Sequence, residues 1–184
     1  MYNLLERLKE LKLLKSYEEH KQQAPTQVRC QIITVSDTRT IETDKSGQLM
    51  KQLLEANGHI VTDHTIVKDT ADEIGSAVLR GAKNPDVDCI LTNGGTGIAK
   101  RDVTIETVKP LLDKELVGFG EIFRYLSYVE DIGSAAILSR AIAGVMLDTA
   151  IFSTPGSTGA VRLAMSKLIL PELGHTIREI RKDQ

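Results

Sequence analysis

Residues 88–102 read Asp88-Cys89-Ile90-Leu91-Thr92-Asn93-Gly94-Gly95-Thr96-Gly97-Ile98-Ala99-Lys100-Arg101-Asp102. The apolar run from Cys89 is short enough for a buried strand, the glycines make a turn, and a helical pattern resumes just after Asp102. Such a turn can bind an anion. Glycine admits positive φ and removes the Cβ atoms that would hold a phosphate away, while a helix start offers unpaired N–H groups and the positive end of its dipole. The same glycines also fit a tight connection with no ligand, and two phosphate templates fail here. No Gly-x-x-x-x-Gly-Lys-Ser/Thr occurs, and the dinucleotide pattern needs a third glycine or alanine where Lys100 stands. What favours phosphate is the close of the segment, where Lys100, Arg101 and Asp102 place two cations and a carboxylate beside the turn.

Working upstream, Val28 to Val35 is rich in β-branched residues and runs as a strand into Ser36-Asp37-Thr38-Arg39. Leucines at 49, 53 and 54 predict a helix from Gln48 to Asn57, stopped by Asn57-Gly58. A second strand follows over His59 to Val67; Asp63 and His64 interrupt its alternation and place it toward a sheet edge. Thr70-x-x-Glu73 has the form of a capping box for a helix over Ala71 to Ala82. Strands separated by helical segments imply a largely parallel sheet with right-handed crossovers, with the strand before Gly94 at its centre.

Downstream, Thr104 to Leu112 predicts a short helix disturbed by Pro110, and Gly118 to Glu130 a second that carries Phe119, Phe123, Tyr125 and Tyr128 for core or subunit packing. Thr149 to Thr154 is a strand, and Ile137 to Leu147 is either its hairpin partner or a helix. Pro155-Gly156-Ser157-Thr158-Gly159 is another turn, followed by a terminal helix from Ala160 to Arg181 with Pro171 as a break or kink. Residues 1–25 form an appendage whose leucines at 4, 8, 11 and 14 predict an amphipathic helix, leaving 26–184 as one domain.

In a parallel α/β sheet the turns after Val35, Val67, Asn93 and Thr154 share the carboxyl edge, where ligands bind. Asp37, Asp69 and Asp102 then gather around two phosphate cradles. Acidic residues beside an anion site suit a bridging divalent cation, or pairing with the N–H groups of a purine or pterin. Each also has a structural reading: Asp37 as a turn cap, Asp69 as a flank of the capping box, Asp102 as the N-cap of the helix near Thr104. Ser157 is at once a phosphate donor and an ordinary N-cap candidate.

Composition narrows the classes. A formal net charge of −2 over 184 residues gives no field for nucleic acid or an acidic membrane, and the absence of Trp, with three Phe and four Tyr, disfavours a base-stacking sheet. Cys30 and Cys89 fall inside apolar strands as buried thiols, and His20, His59, His64 and His175 are too scattered for a structural metal, so no permanent metal is expected. No stretch is long enough to span a membrane and no signal peptide is evident, which suggests the cytoplasm.

Several ordered motifs between residue 28 and about 180 resemble the molybdenum cofactor biosynthesis family that includes molybdopterin adenylyltransferases and protein B. They are Thr34-Val35-Ser36-Asp37; Gly94-Gly95-Thr96-Gly97 followed by Arg101-Asp102-Val103-Thr104; Gly118-Phe119-Gly120-Glu121 with Arg124, Leu126 and Ser127; Leu138-Ser139-Arg140; and Pro155-Gly156. The resemblance implies a three-layer α/β/α fold with a mostly parallel mixed sheet, assembled as a trimer or hexamer, and partners among other molybdenum cofactor biosynthesis proteins. It implies a molybdopterin site and, in the adenylyltransferase branch, attack of the molybdopterin phosphate on the α-phosphorus of Mg-ATP with release of pyrophosphate. The two aspartates on which that mechanism depends match Asp69 and Asp102, which are also the candidates for transient Mg²⁺. Ser36, Asp37, Gly94, Gly95, Thr96, Gly97, Thr104, Glu121, Ser139, Pro155, Gly156 and Ser157 are the corresponding substrate- and phosphate-binding candidates. One departure stands out: Ser-Thr-Gly-Ala follows Pro155-Gly156 where the adenylyltransferase branch tends to carry Gln-Pro-Lys-Ser, which removes a lysine and resembles protein B. An enzyme and a non-catalytic pterin carrier therefore both remain open at the level of sequence.

Overall fold

The structure, a computed structural model, describes residues 24–183. The leucine-rich segment expected to be a helix lies outside them. Six strands form one mixed sheet: β1 (Arg29–Val35), β2 (Ile60–Val67), β3 (Cys89–Asn93), β4 (Lys114–Glu115), β5 (Ile142–Met146) and β6 (Thr149–Thr154), in the order β2-β1-β3-β6-β5-β4. β2, β1, β3 and β6 run parallel, whereas β5 and β4 are antiparallel additions. β2 takes the edge expected of its broken alternation, and every residue of β3 is buried, as a strand covered on both faces requires.

Helices α1 (Lys45–Ala56), α4 (Val117–Glu130), α5 (Thr158–Ala164) and α6 (Leu170–Arg181) cover one face; α2 (Ala71–Ala82) and α3 (Thr104–Val108) cover the other. Alternation along the strands feeds the two layers. Cys30, Ile32, Cys89, Leu91 and Phe152 meet Met50, Leu54, Phe123 and Ile177, while Ile33, Val35, Ile90 and Ile151 meet Ile74, Val78 and Val108. Each large side chain among these contributes about 1.5–3 kcal/mol by leaving water. Both thiols are free and buried, and Cys30 faces Cys89 in the parallel register.

Local chemistry sets the boundaries. α1 starts three residues before the leucine pattern because the Asp44 carboxylate accepts the Gly47 amide at 3.0 Å and caps it. α2 matches its expected span: Thr70 Oγ1 accepts from the Glu73 amide, but the Glu73 carboxylate takes the amide of Lys68 at 3.0 Å, not that of Thr70. Ile137 to Leu147 splits into a 3₁₀ turn (Gly133–Leu138) and β5, which pairs with β6 through a two-residue turn at Leu147 and Asp148, both with positive φ. Pro171 does not break the last helix. A π turn over Met165–Ile169 precedes it and absorbs the register change caused by the missing proline N–H.

One ion cluster clasps the base of the sheet. The buried Asp88 carboxylate accepts the backbone N–H of Arg29 at 2.8 Å, its guanidinium at 2.8 and 3.1 Å, and Arg181 of α6 at 2.5 Å. Burial alone pushes this carboxyl up, but Arg29 and then Arg181 prevail and bring it to about 2. Because the folded value is depressed, the stabilisation is present above the ordinary 3.8 and is lost as pH falls toward 2. Asp88→Asn is therefore expected to cost roughly 2–3 kcal/mol at neutral pH and almost nothing near pH 2. Urea denaturation at both pH values checks this, and an equal cost at both excludes the charge as its source.

Candidate functional site

The chain leaves β1 toward β2 through α1 on one face and reaches β3, on the other side of β1, through α2 on the opposite face. The carboxyl ends of β1 and β3 thus flank a topological switch point, where open α/β sheets have their crevice. A cleft of about 570 Å³ lies there, lined among others by Ser36, Arg39, Asp69, Gly94 to Gly97, Asp102, Ser139, Arg140, Pro155 and Gly156.

The glycine turn is held from several sides. Gly94 and Gly95 have φ of +100° and +60°, and a Cβ on Gly94 would lie 2.3 Å from the carbonyl oxygen of Val35. Gly94 N–H donates to Thr154 O at 3.1 Å, and the buried Thr104 returns its hydroxyl to Gly94 O at 2.9 Å and its amide to Gly95 O at 3.0 Å. Arg140 donates to Thr96 O at 2.8 Å, to Gly97 O at 2.6 Å and to Asp102 O at 3.3 Å, and pairs with Glu106 on its outer side. Its guanidinium is a clamp on the loop. The second glycine turn abuts the first: a Cβ on Gly156 would sit 3.0 Å from Gly94 Cα.

Asp69 and Asp102 both line the cleft beside this turn, near enough for the charge of one to act on the other. Asp69 Oδ2 accepts the Asp37 amide at 3.1 Å, while a Cβ on Gly95 would meet Asp69 Oδ1 at 3.0 Å. Asp102 Oδ2 accepts the Ala99 amide at 2.8 Å, and Val103, not Asp102, occupies the N-cap position of α3, with no side-chain cap. Each carboxylate thus spends one oxygen on an amide and keeps the other without a donor among the described residues. Burial, followed by the negative charge of Asp102, raises the Asp69 carboxyl above its ordinary value.

The remaining candidates divide. Ser36 and Ser139 line the cleft, as do Pro155 and Gly156. Thr104 lies beneath the loop as its support. Asp37 stands beside the cleft wall, where its carboxylate accepts the Asp69 amide at 3.2 Å and pairs with Arg101. Ser157 is the N-cap of α5, accepting the Ala160 amide at 3.2 Å, and the exposed Glu121 belongs to α4; neither lines the cleft. Sequence reasoning passed over Arg39 and the buried Asp44, Ser46 and Asn93 beneath it. Asp44 ahead of Ser46-Gly47 is a capping signal that the leucine pattern concealed.

The described residues contain no group of three or more metal-ligating side chains. Two carboxylates in one cleft, each with an oxygen to spare, suit a divalent ion completed by phosphate oxygens, and the glycine turns leave room for those phosphates.

Comparison with known proteins gives the site its family. Residues 31–175 match the family described as probable molybdopterin binding domain. The chain is 64% identical over 169 residues to molybdenum cofactor biosynthesis protein B of Bacillus subtilis (strain 168), covering 92% of this chain and 99% of that one. A crystal structure of a molybdenum cofactor biosynthesis protein B is similar at a TM-score of 0.85 and 64% identity, covering 87% of this chain and 99% of that one. The tungsten cofactor synthesizing protein MoaB from Pyrococcus furiosus is similar at a TM-score of 0.76 and 40% identity, covering 86% of this chain and 99% of that one. The switch-point cleft, the glycine turns and the sequence agree, and this chain belongs to the molybdenum cofactor biosynthesis protein B family of probable molybdopterin binding domains.

Proposed function

We propose that this protein binds molybdopterin in the switch-point cleft and transfers the adenylyl group of ATP to it. The observation that carries the proposal is the pair of carboxylates, Asp69 and Asp102, that line one cleft and interact electrostatically beside two abutting glycine turns. A terminal phosphate oxygen of molybdopterin attacks the α-phosphorus, the bond to the bridging oxygen of the β-phosphate breaks, and pyrophosphate leaves with that electron pair. Such a transfer asks the protein mainly for positioning and charge neutralisation. Backbone N–H groups of Gly95 to Gly97 and Gly156 hold phosphates, Arg140 keeps the loop in shape, and Asp69 and Asp102 hold Mg²⁺, which offsets triphosphate charge when bound.

A carrier that binds molybdopterin without turnover is the second reading, favoured by the turn after β6, where Ser157 to Ala160 supply no cation. Incubation with molybdopterin, ATP and Mg²⁺, followed by chromatography of pyrophosphate and adenylylated pterin, separates the two. Product formation supports the transferase; pterin retained with no product supports the carrier.

The proposal includes a homo-oligomer in the cytoplasm. Leu116, Val117, Ile122, Tyr125, Tyr128 and Val129 of α4 and its entry are all exposed, and clustered exposed apolar side chains of this kind mark association surfaces. Among the described residues no helix is long and apolar enough to cross a membrane. Tyr125→Glu is expected to reduce the assembly to monomers in sedimentation, and an unchanged species moves the interface elsewhere. Residues 1–25 are proposed as an extension outside the domain over 26–184.

A further inference from the structure

Beneath the cleft runs a polar network that the phosphate chemistry above does not use. The Asp44 carboxylate is fully buried and accepts the Thr34 hydroxyl at 2.5 Å, the Gly47 amide at 3.0 Å, His64 Nε2 at 3.0 Å and Arg39 Nη1 at 3.3 Å. Ser46 Oγ lies 2.9 Å from Asp44 Oδ1 and 2.8 Å from Asn93 Oδ1, and it accepts from Arg39 Nη1 at 2.5 Å. Asn93 closes the ring by donating to Thr34 Oγ1 at 2.9 Å. Burial pushes the Asp44 carboxyl up, but the Gly47 amide, the Thr34 and Ser46 hydroxyls and His64 outweigh it and hold the group below its ordinary value. The network is thus anionic and faces a cation that rises from it into the cleft.

That cation is Arg39. Its Nη1 is spent on Asp44 and Ser46 and one Nη2–H on Gly156 O at 3.0 Å, which leaves Nε–H and the second Nη2–H with no acceptor among the described residues. The side chain lines the cleft and is 34% exposed. A Cβ on Gly156 would lie 3.7 Å from Arg39 Nη1 and 3.0 Å from Gly94 Cα, so the guanidinium stands where the two glycine turns meet. The other arginine of the cleft differs in this respect. Arg140 commits both Nη2 hydrogens and Nε to loop carbonyls and one Nη1–H to Glu106, which leaves a single Nη1–H on a guanidinium whose charge is already paired. Lys100 is exposed at the loop tip and does not line the cleft.

The geometry points to Arg39 as the arginine that binds a ligand phosphate at the junction of the two glycine turns, with Asp44 as the positioning residue that aims it. Guanidinium suits this place because its planar fork satisfies Asp44 and Ser46 on one edge while two N–H groups remain for phosphate oxygens. A carboxylate fixed by its own donors, with no exposed surface, holds that fork in one orientation. The assignment rests on the reading of the cleft as a phosphate site. It does not depend on whether adenylyl transfer follows, since the phosphate belongs either to ATP or to the pterin.

Calorimetric titration of the full chain with Mg-ATP and, separately, with molybdopterin tests it. Arg39→Gln is expected to weaken one or both probes roughly tenfold or more. Loss for ATP alone assigns the nucleotide phosphates, loss for molybdopterin alone assigns the pterin phosphate, and unchanged affinity for both overturns the assignment. Arg39→Lys keeps the charge above Asp44 and guards against a folding defect; it is expected to recover part of the affinity, and full recovery removes the need for the fork. Asp44→Asn is expected to weaken the same probe in the parent and to have no further effect in an Arg39→Gln background. A penalty of equal size in both backgrounds makes Asp44 a fold element only. If the parent binds neither probe, the phosphate-site reading itself fails and the Arg39 assignment falls with it, an outcome distinct from a parent that binds and an Arg39→Gln variant that binds equally well.

Discussion

Asp102→Asn is expected to lower adenylyl transfer by roughly 10²–10³-fold or more while molybdopterin affinity and thermal stability stay near those of the parent. Asparagine can still accept the Ala99 amide through its side-chain oxygen, so the turn that Asp102 closes at 2.8 Å persists. What disappears is the negative charge that acts on Asp69 and one of the two carboxylates proposed for Mg²⁺. Removing that charge has a second readout. The Asp69 carboxyl is raised first by burial and then by Asp102, so in the Mg²⁺-free parent it titrates above the ordinary carboxylate value of 3.8. A raised value means that Asp69 is protonated, and its charge lost, at a higher pH than usual; without Asp102 its titration moves down. Carbon-13 NMR of the Asp69 carboxyl follows this even when turnover is gone. Transfer at the parent rate in Asp102→Asn would falsify the assigned role, and an unmoved Asp69 titration would show that the two groups do not interact.

Gly94→Ala has the other large expected effect, on fold and binding together. A side chain at φ +100° is strained wherever it is placed, and here the added Cβ would also press to 2.3 Å from a backbone carbonyl of β1 that the sheet holds in place. The loop must move, at a cost of roughly 2–4 kcal/mol, and its movement pulls the Gly94 amide from Thr154 and displaces the neighbouring N–H groups. Molybdopterin affinity is expected to vanish with it. Gly118→Ala supplies the contrast: nothing lies within 4 Å of its Cβ, its φ is ordinary, and it is helical, so a small gain in stability is expected. If the Gly94 variant melts with the parent, the close approach of the β1 and β3 turns does not matter in solution.

The places where sequence and structure part company share one cause. The Gly94 turn, the strand ahead of it and the edge position of β2 were legible, because backbone permissiveness and burial alternation are properties of neighbouring residues. The leucine repeat points to a later start for α1 than the fold has, because that start is set by Asp44, a polar cap outside the repeat. Asp102 looked like a helix cap by position, but its carboxylate turns back to Ala99, a choice made by the loop's own path. Ser157 could be a phosphate donor or an N-cap in sequence, and the folded chain uses it as the cap of α5.

Sequence by itself determined the α/β class, the four parallel strands in their order along the chain, the glycine turn and the three aspartates at strand ends, since each follows from short-range periodicity and from residue chemistry at a turn; the two-residue β4 and the choice of strand for β5 did not follow from it. Only the tertiary structure decided which of those groups share a space. Asp69 and Asp102 meet because β2 and β3 lie on opposite sides of β1 and deliver their turns to one edge. Thr34, Asp44, His64 and Asn93 form one buried ring under Arg39 although they come from four separate elements or connections, and nothing in their spacing announces it. Hydrogen bonds and desolvation act between atoms a few ångströms apart, and for residues this distant along the chain that proximity is created by strand pairing and crossover, not by the local sequence.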